Sequence, residues 1–184
     1  MDSKEEQQII ERCQHGDEKA FRCVVQSYQR MVFSVSLRMV CNEDAAKDIV
    51  QETFIRVWLN IQKYERGKDF KTWIYTIAIR LCLDTLKKDS WEALDSEDET
   101  SFKNFVNEQS PDKHLENKEL VSIIKVLARN LTPKQRMVFT LICLEHLETQ
   151  EVERITGLSA NKIKSNIYIA RRKIKEQLKR LGYE

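Results

Sequence analysis

Four glycines and two prolines are all that 184 residues offer for sharp reversals of the backbone. Glycine supplies positive φ and proline presets the first corner of common tight turns, so a chain this poor in both closes few β-hairpins. Helices joined by short polar links escape that requirement. The expected fold class is all-α.

Helix boundaries can be read along the N-terminal half. Gly16-Asp17 is a stop followed by a start, with Asp17 capping a helix through Phe21, Val24, Val25 and Tyr28 and a further helix running through Met31, Val35 and Met39. Asn42 is the next expected N-cap, with Glu43 and Asp44 favouring the positive end of the helix dipole. Behind it Ile49, Val50, Phe54, Val57, Trp58 and Ile61 keep helical spacing, and a last helix follows Asp69 with Ile74, Ile77 and Leu81 as its stripe and Phe70 as a candidate member. In the C-terminal half Thr132-Pro133-Lys134-Gln135 spells a capping box with proline at the first helical position. Thr149 is expected to cap a short helix carrying Val152 and Ile155; Gly157 turns, Leu158 packs, and Ser159 caps a helix striped by Ile163, Ile167, Ile174 and Leu178. That order is helix-turn-helix grammar.

Charge divides the chain more sharply than its net value of +2 suggests. Residues 1–88 carry fifteen bases and thirteen acids, residues 89–119 three bases and ten acids, and residues 120–184 thirteen bases and six acids. The acidic middle, polar and without a sustained 3.6 period, reads as a flexible linker between two small helical domains at 1–88 and 120–184. The five cysteines make no C-x-x-C pair and have no histidine at ligand spacing, so they are expected to be reduced core thiols, with no metal site and no cofactor. No apolar run reaches the ~20 residues of a membrane span, and MDSKEEQQII has no signal-peptide core. A cytoplasmic protein without membrane insertion is expected.

Three surfaces carry the functional argument. From 157 to 181 the bases Lys162, Lys164, Arg171, Arg172, Lys173, Lys175, Lys179 and Arg180 face one acid, Glu176. A helix-turn-helix offers the outer side of its second helix to the major groove, so Lys162, Lys164, Ser165, Asn166 and Tyr168 are candidates to meet base edges. Arg171, Arg172, Lys173 and Lys175 are candidates for phosphates. On the helix after Asn42, Asp44, Asp48 and Glu52 repeat at i,i+4, an arrangement that costs a helix about 0.2–0.5 kcal/mol per pair unless a basic partner covers it. In residues 60–80, Tyr64, Phe70, Trp73 and Tyr75 alternate with Lys63, Arg66, Lys68, Lys71 and Arg80, a mixture suited to single-stranded nucleic acid. Each surface has a plainer alternative: a solvated face for the two charged ones, and core packing for Phe70 and Trp73.

The stretch LRMVCNEDAAKDIVQETFIRVW, followed by F-K-T-W-I-Y-T-I-A and Asp84, resembles region two of bacterial sigma factors, and Leu131-Thr132-Pro133 through Leu178 resembles their region four. The order and spacing are similar to the extracytoplasmic-function (ECF) branch of the sigma-70 family, over nearly the whole chain. The resemblance implies that Asp44, Asp48, Gln51 and Glu52 dock the β′ clamp of RNA polymerase core, with the β flap as a second contact. It implies that the 60–80 segment, with Lys63, Tyr64, Lys71, Trp73 and Arg80, recognises and melts the downstream promoter element. The helix from Ser159 would read the upstream element as duplex. An anti-sigma factor is an expected partner, and association with the nucleoid is expected when the protein is active. Glu153 stands where relatives usually carry a small residue, Ser159 and Asn161 replace a usual proline and glycine, Asn166 and Ile169 replace common arginines, and Arg80 replaces a common asparagine. The function expected is promoter-specific transcription initiation without catalysis. The alternatives are a helix-turn-helix regulator that does not bind polymerase core, and a helical partner-binding module without DNA function.

Overall fold

The computed structural model of the chain describes residues 3–65, 67–95, 130–180 and 182, and the described residues are helical with short connections. Most of the expected linker, from residue 96 onward, lies outside them.

Helix α1 (Ser3–Gln14) ends at Gly16, whose φ of +84° reverses the chain. Asp17 then accepts from the Ala20 amide at 3.0 Å and opens α2 (Glu18–Val40). That amide and the Arg12 guanidinium, 2.7 Å away, hold the Asp17 carboxyl below its ordinary range. The two helices expected between Asp17 and Met39 are one continuous helix, because no glycine or proline interrupts them. It stops at Cys41, a non-glycine residue at φ +56°.

Asn42 caps α3 (Glu43–Asn60) by accepting from the Ala45 amide at 3.0 Å. A 3₁₀ turn follows at Ile61–Lys63, where the Gln14 side chain donates to the carbonyls of Ile61 and Tyr64 and ties the turn to α1. Asp69 accepts from the Thr72 amide at the head of α4 (Phe70–Asp95). That helix passes the expected boundary at 88, again with neither breaker in its way. Val24, Val32 and Val35 of α2, Val57 of α3 and Ile74 of α4 are fully shielded between these helices.

In the C-terminal region the expected capping box forms: Thr132 Oγ1 accepts from the Gln135 amide and Gln135 Oε1 from the Thr132 amide. Helix α5 (Pro133–Phe139) runs directly into a π-helical turn, Thr140–Leu144, closed by Glu145 N–H donating to the Thr140 carbonyl five residues back. His146 at φ +55° then lets Leu147 N–H reach the Leu141 carbonyl. Helix α6 (Thr149–Thr156) is capped by Glu148 rather than Thr149, and Glu151 reaches back to the Glu148 amide at 2.7 Å. Gly157, at φ +70°, turns the chain into α7 (Ala160–Arg180). Ser159 supplies the carbonyl that accepts from Ile163 N–H, but its hydroxyl makes no hydrogen bond among the described residues. The expected stripe is confirmed in Ile163 and Ile174, which are buried, with Ala170 added between them.

The two regions share one apolar core, in which Leu141, Leu147, Val152 and Ile155 join the buried residues of α2 and α4. At its edge Glu145 accepts from Arg38 Nη1 at 2.5 Å, Ser34 Oγ at 3.4 Å and Tyr75 OH at 3.0 Å. Arg38 also donates to the Leu144 carbonyl at 2.9 Å, and Arg136 to the Met39 carbonyl at 2.8 Å. Burial first, and the nearby Glu145 charge second, raise the Tyr75 hydroxyl far above its ordinary value, so it stays a neutral donor.

Glu145→Ala leaves the buried Tyr75 hydroxyl without its acceptor and the half-buried Arg38 with only the Leu144 carbonyl, and is expected to weaken the seam by about 1.5–3 kcal/mol. Small-angle scattering should show a larger radius of gyration for this variant and none for Glu176→Ala on the exposed side of α7. The thiols give a second test. Cys13 and Cys82 are enclosed, and burial raises them to about 11 and about 12, whereas Cys23 is exposed, against the expectation that all five are core thiols. A thiol reagent at pH 8 should modify Cys23 within the mixing phase. Cys13 and Cys82 should react only with unfolding, because the folded state holds them as uncharged thiols until pH rises through those raised values.

Candidate functional site

Among the described residues no three His, Cys, Asp or Glu side chains gather as a metal would need, and no helix is long and apolar enough to cross a membrane. What the fold does present is three exposed surfaces.

The first is the outer side of α3. Asp44, Asp48 and Gln51 are exposed and Glu52 is half-buried, all on the side away from Ile49, Phe54 and Val57. Lys47 sits 2.9 Å from Glu43 and 3.5 Å from Asp44, and Arg56 Nε 2.6 Å from Glu52, so the column is flanked by cations at both ends. Asp48, between them, pairs with no cation among the described residues. One turn beyond Glu52 the same side continues into Ile55 and Leu59, which are 53% and 71% exposed. These two are not among the residues that the charge pattern singles out. The available signal was that they are apolar yet fall outside the stripe of Ile49, Phe54, Val57 and Ile61.

The second surface lies at the start of α4, and here the aromatic residues turn inward. Tyr64 is 7% exposed, its hydroxyl donates to the Lys68 carbonyl, and its ring meets Phe70 edge-on at 5.0 Å and Trp73 at 5.4 Å. The ring expected to stack on a base is thus occupied by its neighbours, because Phe70, itself 1% exposed, needs aromatic walls on both sides, the other being Tyr28 at 5.8 Å. Burial raises the Tyr64 hydroxyl above its ordinary value. Trp73 is half-buried, and Lys63, Lys71 and Arg80 are exposed. Trp73 and Arg80 are seven residues apart, about two turns, and share a side of α4. Lys71 and Arg80 are nine apart, two and a half turns, and stand on opposite sides. Lys71 instead lies 5.9 Å over the Tyr75 ring, beside a crevice of about 550 Å³ that Arg38 and Glu145 also line.

The third surface is α7. Lys162, Lys164, Ser165, Tyr168, Arg171 and Arg172 are all exposed, Tyr168 to 67%. Ser165, Tyr168 and Arg172 follow at three- and four-residue steps and form the centre of the outer side, opposite buried Ile163, Ala170 and Ile174. Asn166 is half-buried and donates to the Lys162 carbonyl at 2.8 Å, which commits its amide to its own helix. Arg172 lies 3.8 Å from Glu176 and Arg171 Nη2 3.4 Å from Cys143 Sγ. Lys173 bonds the Asn130 carbonyl and Gln135, so this member of the basic run fastens α7 to the start of α5.

The family description Sigma-70 region 2 matches residues 24–92, and Sigma-70, region 4, matches residues 123–174, together more than half of the chain. The ECF RNA polymerase sigma factor SigW of Bacillus subtilis is 28% identical over 179 residues, covering 94% of this chain and 96% of that protein. The ECF RNA polymerase sigma-E factor of Escherichia coli K12 is 28% identical over 183 residues, covering 96% and 95%. Among solved structures, CnrH in complex with the cytosolic domain of CnrY superposes with a TM-score of 0.72 at 16% identity, over 95% of this chain and 97% of that one. RpoE of Bartonella quintana, bound to the anti-sigma factor NepR, gives 0.67 at 24% identity, over 88% and 98%. At those identities the superpositions establish the fold.

The inward turn of Tyr64 separates stability from binding in this segment. Tyr64→Ala is expected to cost about 3 kcal/mol of unfolding free energy, in the range for removing a buried aromatic side chain, whereas Arg80→Ala should stay within about 0.5 kcal/mol of the parent. Urea denaturation of the two variants measures the difference.

Proposed function

Because the chain belongs to the ECF branch of the sigma-70 family, and is a sigma factor that binds RNA polymerase core and directs promoter-specific transcription initiation, we propose how its surfaces divide that work. Residues 1–88 bind core and handle the downstream element, and residues 120–184 bind the upstream element. The outer side of α3, with Asp44, Asp48, Gln51 and Glu52, docks on the β′ clamp, and the C-terminal domain meets the β flap. Exposed Ile55 and Leu59 extend that contact. The observation that carries this assignment is a single continuous strip on α3, acidic at one end and apolar at the other, with Asp48 unpaired among the described residues. Clustered charge and exposed large apolar side chains on one helix face suit a protein partner better than solvent.

On the promoter, Trp73, Arg80 and Lys63 approach the separated strands of the downstream element, with Lys71 approaching from the other side of α4. Lys162, Lys164, Ser165 and Tyr168 meet base edges upstream, with Asn166 contributing through its carbonyl oxygen, while Arg171 and Arg172 meet phosphates. The protein acts without catalysis, in the cytoplasm, and joins the nucleoid when active. CnrH and the Bartonella RpoE are each held by another protein chain, and by that analogy an anti-sigma factor holds this chain. A helix-turn-helix regulator independent of polymerase would leave the α3 strip without a partner.

Run-off transcription with purified core and the Asp48→Lys variant tests the division. Asp48 is exposed and pairs with no cation among the described residues, so its reversal should leave the helical circular dichroism and melting temperature unchanged. Competition for core should weaken at least tenfold and transcripts should fall in proportion. Undiminished competition by Asp48→Lys would return the α3 surface to solvent.

A further inference from the structure

The first turn of α7 is held from outside the helix. Glu153 Oε1, on α6, accepts from the Ala160 amide at 2.7 Å, across the turn made by Gly157. The α7 stop-start signal in the sequence points to Ser159, yet the Ser159 hydroxyl makes no hydrogen bond among the described residues. A carboxylate from the supporting helix therefore does the work of an N-cap, and its charge lies at the positive end of the α7 dipole, where a negative group is favoured. Its backbone is fixed as well, since the Glu153 carbonyl accepts from Gly157 N–H at 2.8 Å and Leu158 N–H donates to Thr156 Oγ1 at 3.2 Å.

This contact stands at the head of α7 and a different set of contacts holds its middle. Ala170 and Ile174 pack against Leu131, and Lys173 bonds Asn130 and Gln135. Lys162, Lys164 and Ser165 follow Ala160 within two turns, whereas Arg171 and Arg172 lie beside the second set. A side chain that reads a base edge must be placed to within about 0.5 Å, while a cation facing a phosphate acts through a field that falls slowly with distance. Loss of the first anchor would let the first turns of α7 shift relative to α6, moving the base readers, while the contacts of Ala170, Lys173 and Ile174 keep the phosphate contacts in place.

We infer that Glu153 is a positioning residue for promoter recognition: its carboxylate fixes the head of α7 to α6 and so sets where Lys162, Lys164 and Ser165 meet the upstream element. This rests on α7 being the helix that reads that element. Glu153→Ala and Glu153→Gln test it in the full chain. Glutamine keeps an acceptor oxygen within reach of Ala160, and alanine is a strong helix former that removes the acceptor without disturbing α6.

Hydrogen exchange at the Ala160 amide reads the anchor without DNA, and selection of upstream sequences from a randomised library by the reconstituted holoenzyme reads its consequence. In Glu153→Ala the Ala160 amide should exchange roughly tenfold faster while the melting temperature falls by only a few degrees, as for the loss of one cap. The ratio of specific to nonspecific DNA affinity should fall by roughly tenfold, equal to about 1.4 kcal/mol, while the salt dependence of binding keeps its slope. Glu153→Gln should restore the selected sequence. An unchanged Ala160 exchange rate would overturn the anchor. Faster exchange with an unaltered selected sequence, or a parallel loss of specific and nonspecific binding, would reduce Glu153 to a stabilising cap and overturn its role in recognition. A parent holoenzyme that selects no upstream sequence would overturn the reading of α7, and the proposal with it, whatever the exchange rate shows.

Discussion

A carboxylate withdrawn from water must be met by charge and hydrogen bonds or it costs several kcal/mol, and Glu145 meets that condition only where the two helical regions touch. Its side chain is 11% exposed and is shared among Arg38 and Ser34 of α2 and Tyr75 of α4. The arrangement fixes which sides of the molecule are used up. Helix α6 lies on α4, the π-helical turn lies on α2, and the outer sides of α3 and α7 are left uncovered. The surfaces proposed to carry function are those that the seam leaves exposed among the described residues.

Acids and bases in the C-terminal region are sorted along the same line. Glu145, Glu148, Glu151 and Glu153 fall within one short segment around α6, each near an amide or a cation that uses it, and Glu176 is the acid among the bases of α7. Concentrating the acids in the supporting helix leaves the field of the outer side of α7 little diluted, which raises the local concentration of a polyanion and the rate of encounter with it.

The sequence was legible wherever one residue type performs one backbone task. Asp17, Asn42 and the Thr132–Gln135 box cap helices as their chemistry requires, and the stripe of Ile49, Phe54, Val57 and Ile61 is buried as its period requires. It failed where tertiary contact overrode local preference. Cys41 and His146 take positive φ without being glycine, so no residue type marked either turn, although the Asn42 cap marked where α2 must have ended. Tyr64 was placed on the nucleic-acid side because aromatic residues alternating with cations fit two situations, and only the positions of Phe70 and Trp73 decide between them. Glu153 was noticed as a departure, but its partner is a backbone amide seven residues away that no side-chain pattern marks. The acid column on α3 is visible in full, and its apolar continuation in Ile55 and Leu59 is legible too as apolar residues that fall off the buried stripe, with the structure supplying their exposure.

The π-helical turn at Thr140–Leu144 holds one residue more per turn than an α-helix would, and that surplus is what carries Glu145 out to Arg38. The length of this segment therefore matters more than its spelling. An exchange of one aliphatic residue for another between 140 and 144 preserves the reach, whereas a deletion of a single residue would rotate Glu145 by about 100° and turn its carboxylate away from α2. Over evolutionary time such a segment should tolerate drift in composition and resist insertions and deletions. That is the reverse of the usual behaviour of a connection between helices.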